Sequence, residues 1–406
     1  MGLTRLDYNL VLLLGAGASK PLGIPTSDEM VKEFLETEQA ESLSPFKNQI
    51  IKEEWDIERL LRLIQHVKIL GKEPNLQPLL KTTYTQRLKN KLTRLNASYE
   101  EVYDELLKFI RIRCLDPELE KAKQIYEPLL KLGENATIKI FTTNYDTAVE
   151  NVCKNLQIEF NDGFASSTFD DYKRFYPNRL GKGSVQLYKL HGSVNWWSDI
   201  NRQVVFRLSL DLEGTKGVKT MMIYPAEIES TFSYPFNILQ SHFISSLIDA
   251  HRVIAIGHKF GDVNISSPIK ALLERRNFKL NIISPDAEKT TKTVFNNHPD
   301  IEAVPEKIEN WIPEGVKSIS VGIKKFEKER EEAIKKAELK RKEERERMRE
   351  ELQEEYRVPT LRPIIERVPT RTLPIEDISL RKLCPNCGQQ ISVISTSCPY
   401  CGAPIG

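Results

Sequence analysis

Asn9-Leu-Val-Leu-Leu-Leu-Gly-Ala-Gly-Ala-Ser19 is the stretch that decides the fold. The run over 9–14 is apolar and rich in branched side chains, which is typical of a strand buried in a parallel sheet. A glycine turn follows at once, so we predict the order strand, turn, helix. In that order, missing side chains let backbone amides approach a pyrophosphate, although glycines after a strand also mark ordinary tight turns.

Four more apolar runs predict buried strands further along the chain. They span about 137–142, 185–190, 253–256 and 280–283, and each ends in a polar or glycine-bearing loop. Strands separated by helices predict an α/β fold with a Rossmann-like parallel sheet, whose ligands bind at the carboxyl ends of the strands. The mixed segment 196–224 contains a hairpin-like run and is interpreted as a small excursion on the sheet.

Residues from about 27 to 135 carry apolar side chains mainly at helical spacing, as in Ile57, Leu60, Leu61 and Ile64. We therefore predict a helical insertion within a first domain that covers 1–320. The composition changes past it, because 324–357 is mostly Lys, Arg and Glu with opposite charges four residues apart. This pattern predicts a long charged helix over 323–357, either a solvated single helix or a coiled coil.

The C-terminal segment is predicted to be a tether followed by a small metal-binding module. Four prolines in 358–382 forbid a helix and favour an extended linker. Two Cys-x-x-Cys-Gly knuckles then lie ten residues apart in 383–406, and their thiolates predict a structural Zn2+ site in a zinc ribbon. The predicted ligands are Cys384, Cys387, Cys398 and Cys401. The ribbon is either a structural cap or a docking head for a protein or nucleic acid.

Composition narrows the class of protein. With 406 residues, 40% hydrophobic and 29% charged, and no apolar run near the roughly 20 residues that span a bilayer, we expect a soluble protein without membrane association. The N-terminus lacks the pattern of a signal peptide, so the expected location is the cytoplasm. A net charge of +2 gives no global reason to expect nucleic-acid binding. Cys114 and Cys153 are interpreted as buried thiols.

Polar side chains follow two of the predicted strands. Thr143, Asn144 and Asp146 come after the strand at 137–142, and His191 comes after the strand at 185–190. The carboxyl ends of parallel strands share one edge, so these groups are predicted to meet in one crevice. Histidine suits general-base work near neutral pH, and an amide can orient water or a ribose hydroxyl. A structural histidine bonded to backbone is the alternative for His191.

Four motifs in a fixed order together resemble the sirtuin-like NAD-hydrolase family of prokaryotic immune systems. They are Gly15-Ala-Gly-Ala-Ser19 with Gly23-Ile-Pro25, then Thr-Thr-Asn-Tyr-Asp146, then Lys-Leu-His-Gly-Ser193, then Ile256-Gly-His-Lys-Phe-Gly-Asp-Val-Asn264. The resemblance covers most of residues 9–290. It implies an NAD+ site whose binding residues are Gly15, Ala16, Gly17, Ser19, Thr143, Asp146 and Gly257.

The resemblance also implies roles for the polar side chains. Nicotinamide leaves the ribose through an oxocarbenium-like state and water captures the cation, which yields nicotinamide and ADP-ribose. Asn144 positions the water, and His191 takes a proton from a ribose hydroxyl or from the water. Asp146 bonds a ribose hydroxyl or caps a helix.

The sequence differs from the related protein deacylases at two places, and these differences weaken a deacylase interpretation. No cysteine lies between Cys153 and Cys384, where deacylases carry a zinc module, and Thr-Ser-Asp at 26–28 replaces their phenylalanine-arginine pair. Lys259 stands where the family often has serine. His258 is interpreted as an exposed loop histidine, with an approach to the ligand as the alternative.

We therefore expect a regulated NAD+ glycohydrolase of anti-phage defence, restrained until a partner or an assembly change releases it. The insertion is the candidate gate or oligomer interface. A homo-oligomer is expected, with a protein partner such as a translocating ATPase or an Argonaute-like protein. The alternatives are a scaffold that senses NAD+ or ADP-ribose without turnover and, less favoured, a deacylase.

Overall fold

The computed structural model describes residues 8–64 except 58 and 62, together with 90, 99–166, 172–209, 212, 215–223, 233–274 and 279–355. In the C-terminal segment it describes 381–384, 386, 390–392, 397, 401 and 404. Much of the predicted insertion and nearly all of the predicted tether at 358–382 lie outside the described residues. The chain divides into two compact units, Met1–Lys335 and Lys336–Gly406.

A six-stranded parallel sheet forms the centre of the first unit. Its strands are β1 (Asn9–Leu14), β2 (Thr137–Thr142), β5 (Val185–Lys189), β9 (Arg252–Ile256), β10 (Lys279–Ile283) and β11 (Ile301–Val304). Their order across the sheet is β11-β10-β9-β1-β2-β5. The Rossmann-like parallel sheet and its five predicted strands are confirmed. The sixth strand, β11, escaped prediction because it is short and half-exposed at the edge, so its sequence shows no apolar run.

Both faces of the sheet are covered, which explains the unbroken apolar run of β1. Leu10, Leu12 and Leu14 belong to one core cluster, and Val11 and Leu13 belong to the cluster on the opposite face. All five are at most 2% exposed. Burying one such side chain contributes about 1.5–3 kcal/mol. Alternate residues of this strand therefore stabilise the packing of helices on both faces of the sheet.

The helices that cover the sheet lie in two groups. One core cluster contains residues of α5 (Leu119–Leu130), α6 (Ala148–Asn155) and the start of α10 (Ile308–Glu355). The other contains residues of α7 (Phe236–Ile248), α8 (Val263–Leu273) and α9 (Ala287–Phe295).

The described parts of the insertion are helical. They include α2 (Ser27–Phe34), α3 (Lys47–Lys52) and α4 (Tyr99–Cys114), in addition to the short α1 (Ala16–Ser19) of the glycine turn. The insertion has a core cluster of its own, to which Phe34, Leu61 and Ile110 belong.

A second sheet is larger than the predicted excursion over 196–224. It is antiparallel and five-stranded, in the order β3-β4-β7-β6-β8. Its strands are β3 (Phe164–Ser166), β4 (Lys173–Phe175), β6 (Gly192–Asp199), β7 (Val204–Arg207) and β8 (Val218–Met222). The strands β3 and β4 have three residues each, too few to produce a detectable alternation.

The long helix α10 begins at Ile308 rather than at 323. Its first part carries apolar residues at helical spacing, Trp311, Ile312, Ile319 and Ile323, which pack into the core of the sheet. The charged part that follows is exposed. Among the described helices, none combines the length and the apolar character that crossing a membrane requires.

In the second unit, β12 (Arg381–Leu383) and β13 (Gln390–Ser392) form an antiparallel hairpin.

Candidate active site

The topological switch point of the parallel sheet lies between β1 and β9. From β1 the chain continues to β2 and β5 on one side, whereas β9, β10 and β11 follow on the other. In open α/β sheets the crevice at such a point, outside the carboxyl ends of the strands, is where ligands bind. Here the crevice lies between the loop after β1, which holds the glycine turn, and the loop after β9, which runs from Gly257 to Asp262.

These two loops contact each other through backbone atoms. The Gly15 N–H donates to the carbonyl of Ile256 at 2.9 Å, and the Gly17 N–H donates to the carbonyl of Gly257 at 3.0 Å. A Cβ on Gly15 would lie 2.6 Å from the Cα of His258, and one on Gly257, whose φ is +61°, would lie 2.4 Å from the nitrogen of Ala18. The glycines are therefore required for the junction of the loops, a role that the sequence analysis did not anticipate.

A cavity of about 560 Å³ opens at this junction. Its walls include the glycine turn, the loop after β9, the residues that follow β10, and the start of α2. Its volume is in the range of binding pockets for small molecules and cofactors. Its lining includes Gly15, Gly17, Asp28, Thr143, His191, Gly257, His258, Lys259, Asp262, Ser284 and Asp286.

A smaller cavity of about 100 Å³ adjoins it. One wall is apolar and is formed by Ile24 and, from the insertion, by Met30, Ile57 and Ile110. The other wall is polar and is formed by Ser19, Asn144, Tyr145 and Asp146. Ala16, Ser27, Thr143 and His191 line both cavities. Of the residues predicted from the ends of β2 and β5, Thr143 and His191 thus stand where the two cavities meet, whereas Asn144 and Asp146 line the smaller cavity alone.

Asn144 is held by the glycine turn. Its side-chain Nδ2 donates to the carbonyl of Gly15 at 2.9 Å and to Oγ of Ser19 at 2.8 Å. Its backbone N–H donates to Oγ1 of Thr142 at 3.0 Å. Because both amide hydrogens are used, the side-chain oxygen of Asn144 is the atom left to accept a hydrogen bond from a ligand or a water molecule.

Asp146 and Ser19 complete this connection. Oγ of Ser19 donates to Oδ2 of Asp146 at 2.7 Å, and Oδ1 of Asp146 accepts from the N–H of Ala148 at 3.0 Å, at the start of α6. Both carboxylate oxygens thus have partners within the protein, and the bond to Ala148 fixes the start of α6. Ser19, one of the predicted NAD+-binding residues, lies on the wall of the smaller cavity.

His191 lies between the two sheets, at the end of β5 and directly before β6. Its carbonyl accepts from the N–H of Ile223 at 2.9 Å. The next residue, Gly192, has φ +82°, and a Cβ there would lie 1.9 Å from the carbonyl oxygen of Met221. The backbone on both sides of the imidazole is therefore fixed by the second sheet.

The imidazole of His191 pairs with Asp262, a residue to which sequence analysis gave no role. Nε2 of His191 is 2.9 Å from Oδ2 of Asp262. Burial alone would raise the pKa of Asp262, but its hydrogen bond with His191, the charge of His191 and the N–H of Asn264 hold that pKa below its ordinary value. The available signal was that an Asp directly before an apolar helix is a strong N-cap, but its pairing with His191 arises only in the folded sheet.

His258 is buried, so its interpretation as an exposed loop histidine is wrong. It is 6% exposed, because the loop after β9 turns under Gly15. Its Nδ1 accepts from the N–H of Phe260 at 3.0 Å. Burial, aided by the charge of His191, lowers the pKa of His258 to about 4. This imidazole is therefore neutral at neutral pH.

Lys259 lies on the rim of the larger cavity. Its Nζ is 2.8 Å from Oδ1 of Asp28, at the start of α2. Burial would raise the pKa of Asp28, but the bond with Lys259 holds it below its ordinary value. The ion pair joins the loop after β9 to the insertion.

Two buried residues support the turn that carries Asn144. Nζ of Lys189 donates to the carbonyl of Asp146 and lies 3.3 Å from Oε1 of Glu150, and both side chains are almost fully buried.

The thiols of Cys114 and Cys153 are buried, as predicted. Burial raises the pKa of Cys114, so this thiol on the wall of the smaller cavity stays protonated.

The cysteines of the second unit have a spacing suited to zinc. Sγ of Cys384 lies 3.8 Å from Sγ of Cys401. A tetrahedral Zn2+ with Zn–S bonds of about 2.3 Å places two sulfur ligands about 3.8 Å apart. The predicted ligands Cys387 and Cys398 lie outside the described residues, and within the described part of the chain no three potential ligands cluster.

Comparison with known proteins identifies two domains. Residues 138–303 match the family described as SIR2-like domain, and residues 383–405 match the zinc-ribbon domain. The chain thus carries a SIR2-like domain and a C-terminal zinc ribbon, as predicted. The SIR2-like match begins at β2, but β1 and its glycine turn belong to the same sheet, since β1 pairs with β2 and β9.

Two solved structures are similar to the chain at low identity. One, titled "The Structural basis for Sirtuin Substrate affinity", is 13% identical, covers 78% of this chain and 94% of its own, and has a TM-score of 0.37. The other is a Sir2 structure in complex with the inhibitor EX-527, 2′-O-acetyl-ADP-ribose and a deacetylated p53 peptide. It is 13% identical, with coverage of 77% and 94% and a TM-score of 0.36. No curated protein matches the chain.

Proposed function

We propose that the protein is an NAD+ glycohydrolase, which cleaves NAD+ to nicotinamide and ADP-ribose. The observation that carries this proposal is the position of His191 on the walls of both cavities, next to Asn144 on the wall of the smaller one. A dinucleotide that occupies both cavities has its reacting bond where they meet. The SIR2-like match supports chemistry on NAD+.

We assign the two halves of the dinucleotide by analogy with the sheet topology of other dinucleotide-binding folds. Asn144 and His191 follow β2 and β5, on one side of the switch point, and we assign nicotinamide to the smaller cavity beside them. Ser284 and Asp286 follow β10, on the other side, and line the larger cavity. The adenosine half and the pyrophosphate therefore belong in the larger cavity, across the switch point as in other dinucleotide-binding sheets.

The apolar wall of the smaller cavity favours departure of the nicotinamide. In bound NAD+ the ring is a pyridinium cation, whose burial against Met30, Ile57 and Ile110 is costly. The C1′–N bond breaks with both electrons going to the ring nitrogen, so nicotinamide becomes neutral and the positive charge moves to the ribose. An interaction that improves only as this charge moves lowers the barrier.

The polar wall completes the hydrolysis. The side-chain oxygen of Asn144, which has no partner among the described residues, accepts a hydrogen bond from the attacking water or from a ribose hydroxyl. His191 takes the proton that is released. The water oxygen forms the new bond to C1′. NAD+ and water are thereby converted to nicotinamide, ADP-ribose and one proton, which leaves through His191.

We also propose that activity is regulated, in anti-phage defence and through a partner or a change of assembly. Unrestrained loss of NAD+ would harm the host cell. The insertion is the candidate for this control because it supplies one wall of the smaller cavity. Its movement would therefore alter the nicotinamide site directly.

The test is to incubate the purified full chain with NAD+ and quantify nicotinamide and ADP-ribose, with and without extract from phage-challenged cells. We expect turnover in the wild-type protein and a loss of at least about 100-fold in Asn144→Ala and in His191→Ala. Calorimetry should show that both variants still bind NAD+. NAD+ binding without turnover under any condition would identify a sensing scaffold instead, and dependence on an acylated lysine peptide would identify a deacylase.

We further propose that the four cysteines of the ribbon hold one structural Zn2+. The ribbon has little core of its own, so the metal supplies folding energy. Metal analysis should give one zinc per chain in the wild-type protein and none in Cys384→Ser. Nicotinamide release should persist in that variant, because the residues proposed to carry the reaction all belong to the first unit.

A further inference from the structure

The carboxylate that contacts His191 is itself held in a fixed orientation. Oδ2 of Asp262 is 2.9 Å from Nε2 of His191, and Oδ1 accepts from the N–H of Asn264 at 2.8 Å, at the start of α8. The side chains of His191 and Asp262 are only 6% and 8% exposed. Each oxygen thus has one assigned donor, and rotation of the carboxylate would break both bonds.

This arrangement determines which nitrogen of His191 carries the proton. Asp262 is ionised at neutral pH, because its pKa lies below the ordinary range, so its oxygens only accept hydrogen bonds. Nε2 of His191 must then be the N–H donor. In the neutral imidazole the lone pair is left at Nδ1, which has no hydrogen-bond partner among the residues that the structure describes.

The neighbouring imidazole does not compete for this carboxylate. Nδ1 of His258 accepts from the N–H of Phe260, and the pKa of His258 is about 4. His258 is therefore uncharged at neutral pH. The side chain of His191 lines both cavities, so its unpartnered nitrogen belongs to the site in which the ribose would lie.

We propose that Asp262 is a positioning residue that holds His191 in the Nε2–H tautomer, so that Nδ1 is the atom that takes the proton during hydrolysis. This inference rests on the proposed function. The O–H bond of the attacking water breaks as the water oxygen bonds to C1′, and the proton goes to Nδ1. The imidazolium that forms keeps its Nε2–H bond to Asp262 and then releases the Nδ1 proton to solvent.

The variant Asp262→Asn separates this role from simple helix capping. Asparagine is as good an N-cap as aspartate, but its amide has one oxygen where the carboxylate has two. If that oxygen keeps the N–H of Asn264, the NH2 group faces Nε2 of His191. Nε2 must then accept, which moves the imidazole proton to Nδ1 and removes the base.

The experiment measures the tautomer and the turnover in the same full-length proteins. Histidine-selective 15N labelling with long-range 15N–1H NMR reports which ring nitrogen carries the proton, and His191→Ala identifies the His191 signals among six histidines. We expect the Nε2–H form in the wild-type protein and the Nδ1–H form in Asp262→Asn. The kcat for NAD+ should fall roughly 10²–10⁴-fold in this variant, with KM nearly unchanged.

Asp199→Asn is the matched control. Oδ1 of Asp199 also accepts backbone N–H groups, from Asn201 and Arg202, but Asp199 lines neither cavity. It should keep wild-type turnover and the wild-type histidine spectrum. An Nδ1–H form of His191 in the wild-type protein, or an unchanged tautomer and kcat in Asp262→Asn, would overturn the proposal. If the wild-type protein releases no nicotinamide, the hydrolase proposal fails, whereas the spectra still decide whether Asp262 fixes the tautomer.

Discussion

The two cavities of the candidate active site are built in different ways. Where the loops after β1 and β9 meet, the larger cavity has a wall of backbone, and a Cβ on Gly15, Gly17 or Gly257 would lie 2.4–2.7 Å from a backbone atom. The smaller cavity has a wall of side chains from the insertion, including Met30 and Ile110. A backbone junction admits no added atom, whereas packed side chains adjust by small shifts. We therefore expect a substitution in the backbone wall to cause a large loss of stability, and substitutions in the side-chain wall to have small, graded effects.

The strongest test of the backbone wall is Gly257→Ala. Its Cβ would lie 2.4 Å from the nitrogen of Ala18, at φ +61°, so both the clash and the left-handed backbone oppose the substitution. We expect a loss of at least about 3 kcal/mol in the free energy of unfolding, measured by urea denaturation.

Gly261→Ala is the matched control in the same loop, because a Cβ there meets no atom within 4 Å. It should stay within about 1 kcal/mol of the wild-type protein. Equal stability of the two variants would mean that the junction of the loops is not rigid.

The next largest effect concerns His258, which is buried beneath that junction. Its pKa is about 4 in the folded protein and near 6.5 in the unfolded chain. Between these values the unfolded chain binds a proton that the folded protein excludes, so stability falls as the pH decreases from about 6.5 to about 4. The full loss is about 3 kcal/mol, and denaturant titrations at several pH values measure it.

His258→Asn isolates this contribution, since its side-chain oxygen can replace Nδ1 as the acceptor for Phe260. In this variant the free energy of unfolding should change little between pH 6.5 and pH 4.5. Asp28 and Asp262, two of the carboxylates whose pKa is lowered, start from an ordinary value of 3.8 and lose their contribution mainly below that window. A variant as pH-sensitive as the wild-type protein would show that His258 is solvated.

The contrast between the walls also explains what sequence could predict. The buried strand β1 was predictable because its apolar residues serve two core layers at once. The placement of Asn144 and His191 at one edge of the sheet was predictable because each lies two residues past the end of a strand, and parallel strands bring their carboxyl ends to one edge. The reason for the glycines was missed, since a contact between the loop after β1 and the loop after β9 leaves no local pattern.

Contacts between residues far apart in the sequence also limited the prediction of side-chain roles. Asp262 lies 71 residues from His191 in the sequence, and only its capping role is visible locally. His258 looked exposed because a polar residue in a loop usually is, whereas the fold of that loop under Gly15 buries it. The edge strand β11 was missed because a half-exposed strand lacks an apolar run.

A milder change tests the side-chain wall. Ile110→Val removes one methylene group from the smaller cavity, which Ile110 lines while fully buried. We expect a loss of about 0.5–1.5 kcal/mol in the free energy of unfolding. If nicotinamide occupies this cavity, its inhibition constant should rise about fourfold, the equivalent of one buried methylene.

Val102→Ala is a control in the same cluster of the insertion, because Val102 is buried but lines neither cavity. It should lower stability without changing inhibition by nicotinamide. A change in the inhibition constant of equal size in both variants would place the effect in the insertion as a whole rather than in the cavity wall.

The smallest effect is expected where the two walls are joined, at the ion pair between Lys259 and Asp28. The side chain of Lys259 is 71% exposed, and exposed ion pairs contribute at most about 1 kcal/mol because water and salt screen them. A double-mutant cycle of Lys259→Ala and Asp28→Ala should therefore give a coupling energy below about 1 kcal/mol that shrinks in 0.5 M NaCl. A larger coupling that salt does not weaken would show that the backbone wall and the insertion form one rigid body. A shift in the insertion would then be transmitted to the glycine junction, and substitutions in the backbone wall and in the side-chain wall would no longer have independent effects.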